Sequence, residues 1–428
     1  MSTLVVVGAQ WGDEGKGKVV DALAKSAQVV ARYAGGNNAG HTLVVGGKKI
    51  VTHLVPSGCA YAGTLCVLGA GMVVDLDVFR NEVEALQRDG MLQAGELRVS
   101  LDAHLIFPYH RVLDGAREDK AKGGASEIGT TRRGIGPAYE AKAGRRGIRV
   151  RDLFHPERLR TRLEQNAASL SPELARLQAP SIDVAEQMAR ADAWASWLKP
   201  MVCDTGELVF GAIEAGQRVL IEGAQGALLD LDHGTYPYVT TSNTIAGGAC
   251  TGLGVGPTVI DAVWGITKAY TTRVGAGPFP TRLDGEMGEK IRQAGAEFGA
   301  TTGRPRDCGW LDLPALRYAV RRNGLTGLCV SKLDVLAHLP RVEVCTGYVD
   351  GCVPGVHDFS ECRPVYRALE GWGDPSLPKQ IGAARKLVEL PAAARAYLDM
   401  ISEFTGVEIT LVSVGPDRQQ TIPIRDAF

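Results

Sequence analysis

A chain that opens Leu4-Val5-Val6-Val7-Gly8-Ala9-Gln10-Trp11-Gly12-Asp13-Glu14-Gly15-Lys16-Gly17-Lys18 has little freedom in how it can begin to fold. Four apolar residues, three of them β-branched, followed at once by glycine punctuation, predict a buried parallel strand rather than a helix. Gly12, Gly15 and Gly17 then let the backbone turn its N–H groups toward one point, and Lys16 and Lys18 bring positive charge to it. A phosphate chain is held in that way. Gly12, Gly17 and Lys18 keep the spacing of the usual phosphate loop, but Val19 stands where a Ser or Thr hydroxyl would reach magnesium. Asp13, inside the loop, is the expected replacement, because magnesium is held by one or two carboxylates together with waters and substrate phosphates. Read alone, the run also fits a glycine-rich turn carrying solvated charges.

The rest of the chain extends this start into an α/β pattern. Residues 19–25 read as a first helix and 28–33 as a second strand, giving a β–loop–α–β beginning and a largely parallel sheet. Residues 43–45 and 50–54 around Gly46-Gly47 read as a hairpin. Further helices are expected over 77–88, 109–120 and 392–404, and further strands at 97–101, 219–221, 328–330 and 408–412. Residues 156–217 shift toward Ala, Leu, Glu and Arg, with a break near Pro180, and read as a helical subdomain in which Trp194 and Trp197 pack. Residues 349–390 read as loops and short elements. Length alone suggests two or three domains, a prior that α/β enzymes often exceed. No chemistry is assigned to the helical part.

Glycine-rich loops carry the other polar candidates. The 53 glycines of 428 residues exceed the usual ~7% and gather in such loops. The second, Gly35-Gly36-Asn37-Asn38-Ala39-Gly40-His41-Thr42, ends in a histidine; the others include 128–137, 222–226 and 299–306. Hydroxyls beside arginines suit phosphate, and the planar fork of Arg304 suits a carboxylate. Asp230, Asp232 and His233 lie close enough to suggest a metal. The 47 basic and 48 acidic residues nearly cancel, so the balance favours neither nucleic acid nor an anionic membrane as partner. Nine scattered cysteines without a Cys-x-x-Cys pair argue against a disulfide framework or a zinc site. No basic leader or long apolar run marks the N-terminus, so the default expectation is cytoplasmic.

Gly12-Asp13-Glu14-Gly15-Lys16-Gly17-Lys18 after Gln10-Trp11, followed by residues 36–42, resembles the adenylosuccinate synthetase family. Further matches at 128–139, 222–248, 272–280, 299–312, 332–334 and 415–418 extend the resemblance end to end. It implies one domain, residues 1–428, with a phosphate-loop GTPase-like core, and GTP-dependent ligation of L-aspartate to inosine monophosphate (IMP), forming adenylosuccinate, GDP and phosphate through a 6-phosphoryl intermediate. It also implies a loop-shaping role for Asp230, Asp232 and His233 in place of a metal one. Lys332-Leu333-Asp334, after a strand, resembles the guanine signature of GTPases; its aspartate would accept from guanine N1–H and the exocyclic amine.

By the same resemblance the catalytic residues are Asp13, which takes the purine N1 proton, His41, which donates toward the phosphates, Lys16 and Gln225. IMP would meet residues 13–16 (Asp13, Glu14, Gly15, Lys16), Asn38, Ala39, Gly40, His41, Thr131, Gln225, Thr240 and Arg304, with Arg145 reaching its phosphate from the partner of a homodimer. Aspartate would meet Ala300, Thr301, Thr302, Gly303, Arg304, Pro305 and Arg306. GTP would be held by Gly12, Asp13, Glu14, Gly15, Lys16, Gly17 and Lys18, by Gly40, His41 and Thr42, and by Arg306, Lys332, Leu333, Asp334, Ser413, Val414 and Gly415. One Mg²⁺ per subunit would meet Asp13 and the Gly40 carbonyl. Three positions depart from the family pattern: Arg132 replaces a glycine, Ala141 an acidic residue and Asp307 an arginine. Two other readings compete at this point, a guanine-nucleotide switch without ligase chemistry and a different NTP-dependent ligase.

Overall fold

The computed structural model describes residues 2–45, 48–93, 95–124, 128–299, 303–372 and 377–428. The opening apolar run is β1 (Thr3–Gly8), buried along its whole length. Around it stands a ten-stranded sheet. Its other members in chain order are β2 (Val29–Arg32), β3 (Leu65–Leu68), β4 (Leu97–Ser100), β5 (Val202–Cys203), β6 (Val219–Glu222), β7 (Ala262–Lys268), β8 (Gly327–Ser331), β9 (Ile409–Ser413) and β10 (Thr421–Pro423). The spatial order is β10-β9-β8-β7-β1-β6-β2-β3-β4-β5. Every neighbouring pair is parallel except β9 with β10, so nine strands end at one edge of the sheet.

Both faces are apolar, as a covered parallel sheet requires. Leu4 and Val6 face a cluster with Val19 and Val20 of helix α1 (Lys16–Ala24) and Trp264. Val5 and Val7 face the opposite cluster, with Tyr270, Leu313, Leu316 and Tyr397. A strand with four adjacent apolar residues therefore has a partner for each side chain. The helical part forms α2 (Pro156–Arg176) and α3 (Val184–Leu198). Trp194 is buried, its ring 5.1 Å from that of Phe107 and its Nε1 donating to Asp77 at 2.7 Å, and Trp197 lies edge-on to Phe79 at 5.6 Å. Both are packing residues.

Several expectations shift. The hairpin forms from His41–Val45 and Lys48–Thr52, while Gly46 and Gly47 lie outside the described residues. Strand β7 was not foreseen, because Gly265 interrupts its apolar run; a Cβ there would run into the Leu325 side chain. Residues 349–390 include the strand Pro364–Glu370, paired antiparallel with Arg341–Tyr348. Its exposed positions carry Tyr366, Arg367 and Glu370, so the apolar alternation that marks a strand is missing. In the loop between these two strands the chain doubles back and joins Cys352 to Cys362, whose Cα atoms are 5.6 Å apart, although the cysteine spacing did not suggest a disulfide. Among the described residues, no helix is long and apolar enough to cross a membrane.

Candidate active site

Loops leaving the C-terminal ends of parallel strands meet at one edge, where open α/β sheets bind ligands. Five strands end in the residue on which a site loop begins: Gly8 of β1, Glu222 of β6, Lys268 of β7, Ser331 of β8 and Ser413 of β9. The sheet's register gathers loops that are hundreds of residues apart in sequence.

The phosphate loop takes the shape its glycines predict. Gly12 and Gly15 have φ of 84° and 87°, and Asp13 between them is held at 59°, a conformation that costs a non-glycine residue energy and marks a constrained site. The Glu14 carboxylate, fully buried, fastens the loop from inside, accepting from the backbone N–H of Gln10 at 3.1 Å and of Gly12 at 2.9 Å and from Lys16 Nζ at 2.5 Å. Lys16 is therefore charge-paired within the loop. Lys18 turns the other way, donating to Ser413 Oγ at 2.6 Å and to the carbonyls of Gly415 and Gln420 at 2.5 and 2.9 Å. Burial pushes its ammonium down to about 8. Ser331 Oγ donates to the Glu14 carbonyl at 2.6 Å, so the strand preceding Lys332 is tied to the same loop.

His41 comes to this loop because Gly17 has no side chain. A Cβ on Gly17 would stand 3.0 Å from His41 Cβ and 3.1 Å from the Thr42 carbonyl. His41 Nδ1 meets Glu222 Oε1, and Ser57 donates to the same carboxylate from its backbone N–H and its hydroxyl, each at 2.8 Å. Burial lowers the imidazole's proton affinity. Burial alone would raise Glu222, but His41, Arg32 and Ser57 hold it below the usual carboxylate range. The consistent assignment is an ionised Glu222 accepting from the Nδ1–H of a neutral imidazole. His41 Nε2 is left buried without a hydrogen-bond partner.

Gln225 follows the same strand, with φ of 54°. Its backbone lies against Gly12 and its amide beside Gly35, and both amide atoms are buried without a partner. Buried polar atoms are normally satisfied, so those of His41 and Gln225 have hydrogen-bonding capacity left over beside the phosphate loop.

Asp13 Oδ2 lies 2.9 Å from Arg306 Nε, and Arg306 Nη1 donates to Glu297 at 2.6 Å. The structure thus brings Asp13, Glu14, Lys16, Lys18, His41, Thr42, Gln225, Arg306, Lys332, Ser413 and Gly415 together around the phosphate loop. Asp334 is mostly buried beside Lys18 and Lys332, and burial raises its pKa. Asn38 turns back on its own loop, accepting from Gly36 N–H at 3.2 Å. Thr240 N–H donates to Leu229 at 2.9 Å, and Thr131 is exposed. Arg145, exposed, lines a separate basic cavity of about 510 Å³ with His104, Lys142 and Arg149, into which no phosphate-loop residue reaches. Ala300, Thr301 and Thr302 lie outside the described residues.

Asp230 is a loop-shaping residue, as expected: it accepts from the backbone of Asp232 and His233, each at 3.0 Å, and of Thr244 at 2.6 Å. Arg132 has φ of 56°, a conformation glycine adopts freely, which explains why a glycine suits that position. Asp307 stands 3.6 Å from Arg282. Glu222 and Glu297 were not anticipated as site residues. A charged residue ending the apolar run Val219-Leu220-Ile221 was the available signal for Glu222.

A phosphate loop, a guanine-type Lys-x-Asp and a carboxylate-braced histidine at one sheet edge define a nucleotide-dependent α/β enzyme. The adenylosuccinate synthetase sequence profile matches residues 5–422. Adenylosuccinate synthetase of Myxococcus xanthus is 52% identical over 441 residues, and that of Sorangium cellulosum 50% identical over 437, each covering 100% of both chains. A solved structure of fully ligated adenylosuccinate synthetase from Plasmodium falciparum superposes with a TM-score of 0.91 at 35% identity, covering 99% of this chain and 100% of that one. The chain belongs to the adenylosuccinate synthetase family, GTP-dependent carbon–nitrogen ligases that join aspartate to IMP in AMP synthesis.

Proposed function

We propose that this chain carries out that ligation in two steps at the site where Asp13, His41 and Gln225 meet. The carrying observation is that His41 Nε2 and both amide atoms of Gln225 are buried and unpartnered beside the loop that holds Asp13. An oxo group is a poor leaving group, so the IMP 6-oxygen is first phosphorylated. Asp13 removes the N1 proton, the 6-oxygen attacks the γ-phosphorus of GTP and GDP departs; the aspartate amine then displaces phosphate at C6. His41 acts through Nε2 on the phosphate oxygens, and Glu222 stabilises the imidazolium as negative charge gathers there. Gln225 holds the purine edge, and Lys16 exchanges Glu14 for phosphate oxygens. Arg306 leaves Asp13 for the aspartate carboxylate, which frees Asp13 for its proton.

Asp334 and Lys332 select guanine, with Lys18 and residues 413–415 closing over the nucleotide. The donor set fits magnesium: Asp13 and the Gly40 carbonyl are hard oxygens, and phosphates would complete the shell. Bound there, magnesium would neutralise charge on the phosphates. Among the described residues no group of three or more potential metal-binding side chains occurs. Residues 1–428 act as one domain, supported by a sheet drawing strands from Thr3 to Pro423. The exposure of Arg145 leaves it free to reach across a homodimer interface and complete the partner's IMP site.

Positional isotope exchange tests the first step. GTP carrying ¹⁸O in the β,γ-bridge, incubated with IMP and magnesium without aspartate, is expected to scramble the label into β non-bridging positions. Scrambling absent with IMP, or equal without it, would contradict a 6-phosphoryl intermediate.

A further inference from the structure

Behind Arg306 and Lys332 lies a carboxylate to which the reaction gives no task. Glu297 is fully buried, two residues past the helix Glu286–Gly295, where Ala296 at φ 47° turns the chain inward. It accepts from Lys268 Nζ at 2.9 Å, Tyr270 OH at 2.5 Å and Arg306 Nη1 at 2.6 Å, and Lys332 Nζ stands 3.4 Å away. Gly295 is required beside it, since a Cβ there would strike the Tyr270 hydroxyl. Lys268, also buried, donates onward to Thr272 Oγ1 at 2.7 Å.

We infer that Glu297 is a positioning residue that sets Arg306 and Lys332 from one buried carboxylate and so couples aspartate binding to guanine-nucleotide binding. This rests on the reading that Arg306 meets aspartate and Lys332 meets GTP. Three cations share one buried anion, so movement of any one changes the field on the others. When Arg306 turns from Asp13 toward a bound carboxylate, its second nitrogen stays on Glu297, and the restraint is felt by Lys332. Burial alone would raise Glu297, but Lys268, Lys332 and Arg306 hold it well below the usual carboxylate range, so it remains an anion throughout.

Steady-state kinetics of Glu297→Gln test this. The KM values for aspartate and for GTP are expected to rise together, each about tenfold, while KM for IMP stays within about twofold. Because the substitution leaves Lys268 without a counter-charge, the double variant Lys268→Met/Glu297→Gln is measured beside it. If Glu297 only neutralises Lys268, the double variant recovers both KM values, which overturns the inference; if it positions Arg306 and Lys332, both stay raised although thermal stability returns. Loss of folded circular dichroism in both variants would also overturn it, since the role would then be structural alone. Arg306→Leu and Lys332→Ala separate this from the underlying assignment. If they raise KM for aspartate and GTP respectively while Glu297→Gln changes neither, the coupling alone is wrong. If they leave those constants unchanged, the assignment fails and the inference falls with it.

Discussion

His41 owes its orientation to Glu222, and this pair shows what single residues contribute. A neutral imidazole with Nδ1–H on a buried carboxylate offers Nε2 in one direction only, and the same carboxylate favours the cation once a phosphate arrives. Glu222→Gln is therefore expected to lower kcat roughly 10- to 100-fold with KM for IMP and GTP nearly unchanged, in an initial-rate assay. A rise in KM at constant kcat would show that Glu222 shapes binding instead. That Asp13, His41 and Gln225 come together was legible in the sequence because each sits in a glycine loop whose order along the chain carries the family resemblance. The partners that aim them were not, since Glu222 and Glu297 act across 181 residues to His41 and 9 to Arg306, contacts set by strand register and a helix end. Arg132 shows the reverse: a departure from pattern that the left-handed backbone of this chain accommodates.

Among the elements, α1 depends on closeness rather than on intrinsic helix preference. Gly17 lets the helix seat against His41 and Thr42, so Gly17→Val should displace the histidine and lower kcat even where the fold survives, with a stability loss of about 1–3 kcal/mol; circular dichroism melts and initial rates measure both. The helix Pro108–Ala121 gives a pH prediction. His110, buried, accepts the Phe107 N–H on Nδ1 at 3.0 Å, and burial lowers its pKa to about 3. In the unfolded chain it takes a proton near pH 6.5, so the unfolded state binds more protons between about pH 6.5 and 3 and stability falls as pH is lowered through that window. The contribution is about 1.4 kcal/mol per pH unit, and His110→Gln should flatten that part of the denaturation profile. A slope unchanged by the substitution would remove His110 as its source. Strands with uninterrupted apolar runs, β1 and β6, were legible element by element. Strand β7, broken by Gly265, and the exposed strand Pro364–Glu370 were not, because their pairing rather than their pattern makes them strands.

At the scale of the whole molecule, one largely parallel sheet starts five site loops from one edge, and the basic cavity at Arg145 is lined by none of them. If Arg145 completes the partner's site, mixing Asp13→Ala with Arg145→Leu subunits, each inactive alone, should restore about a quarter of wild-type activity on random pairing into dimers. No recovery, with mixed dimers confirmed by native mass spectrometry, would place Arg145 outside the site. On the proposed function, this edge joins IMP and aspartate at the expense of GTP. The most direct measurement is ultraviolet absorbance of the purified protein with magnesium, GTP, IMP and L-aspartate, beside single omissions and ATP in place of GTP. An absorbance change that needs all four components and fails with ATP is the predicted result; no change in a protein shown to bind GTP would contradict the account.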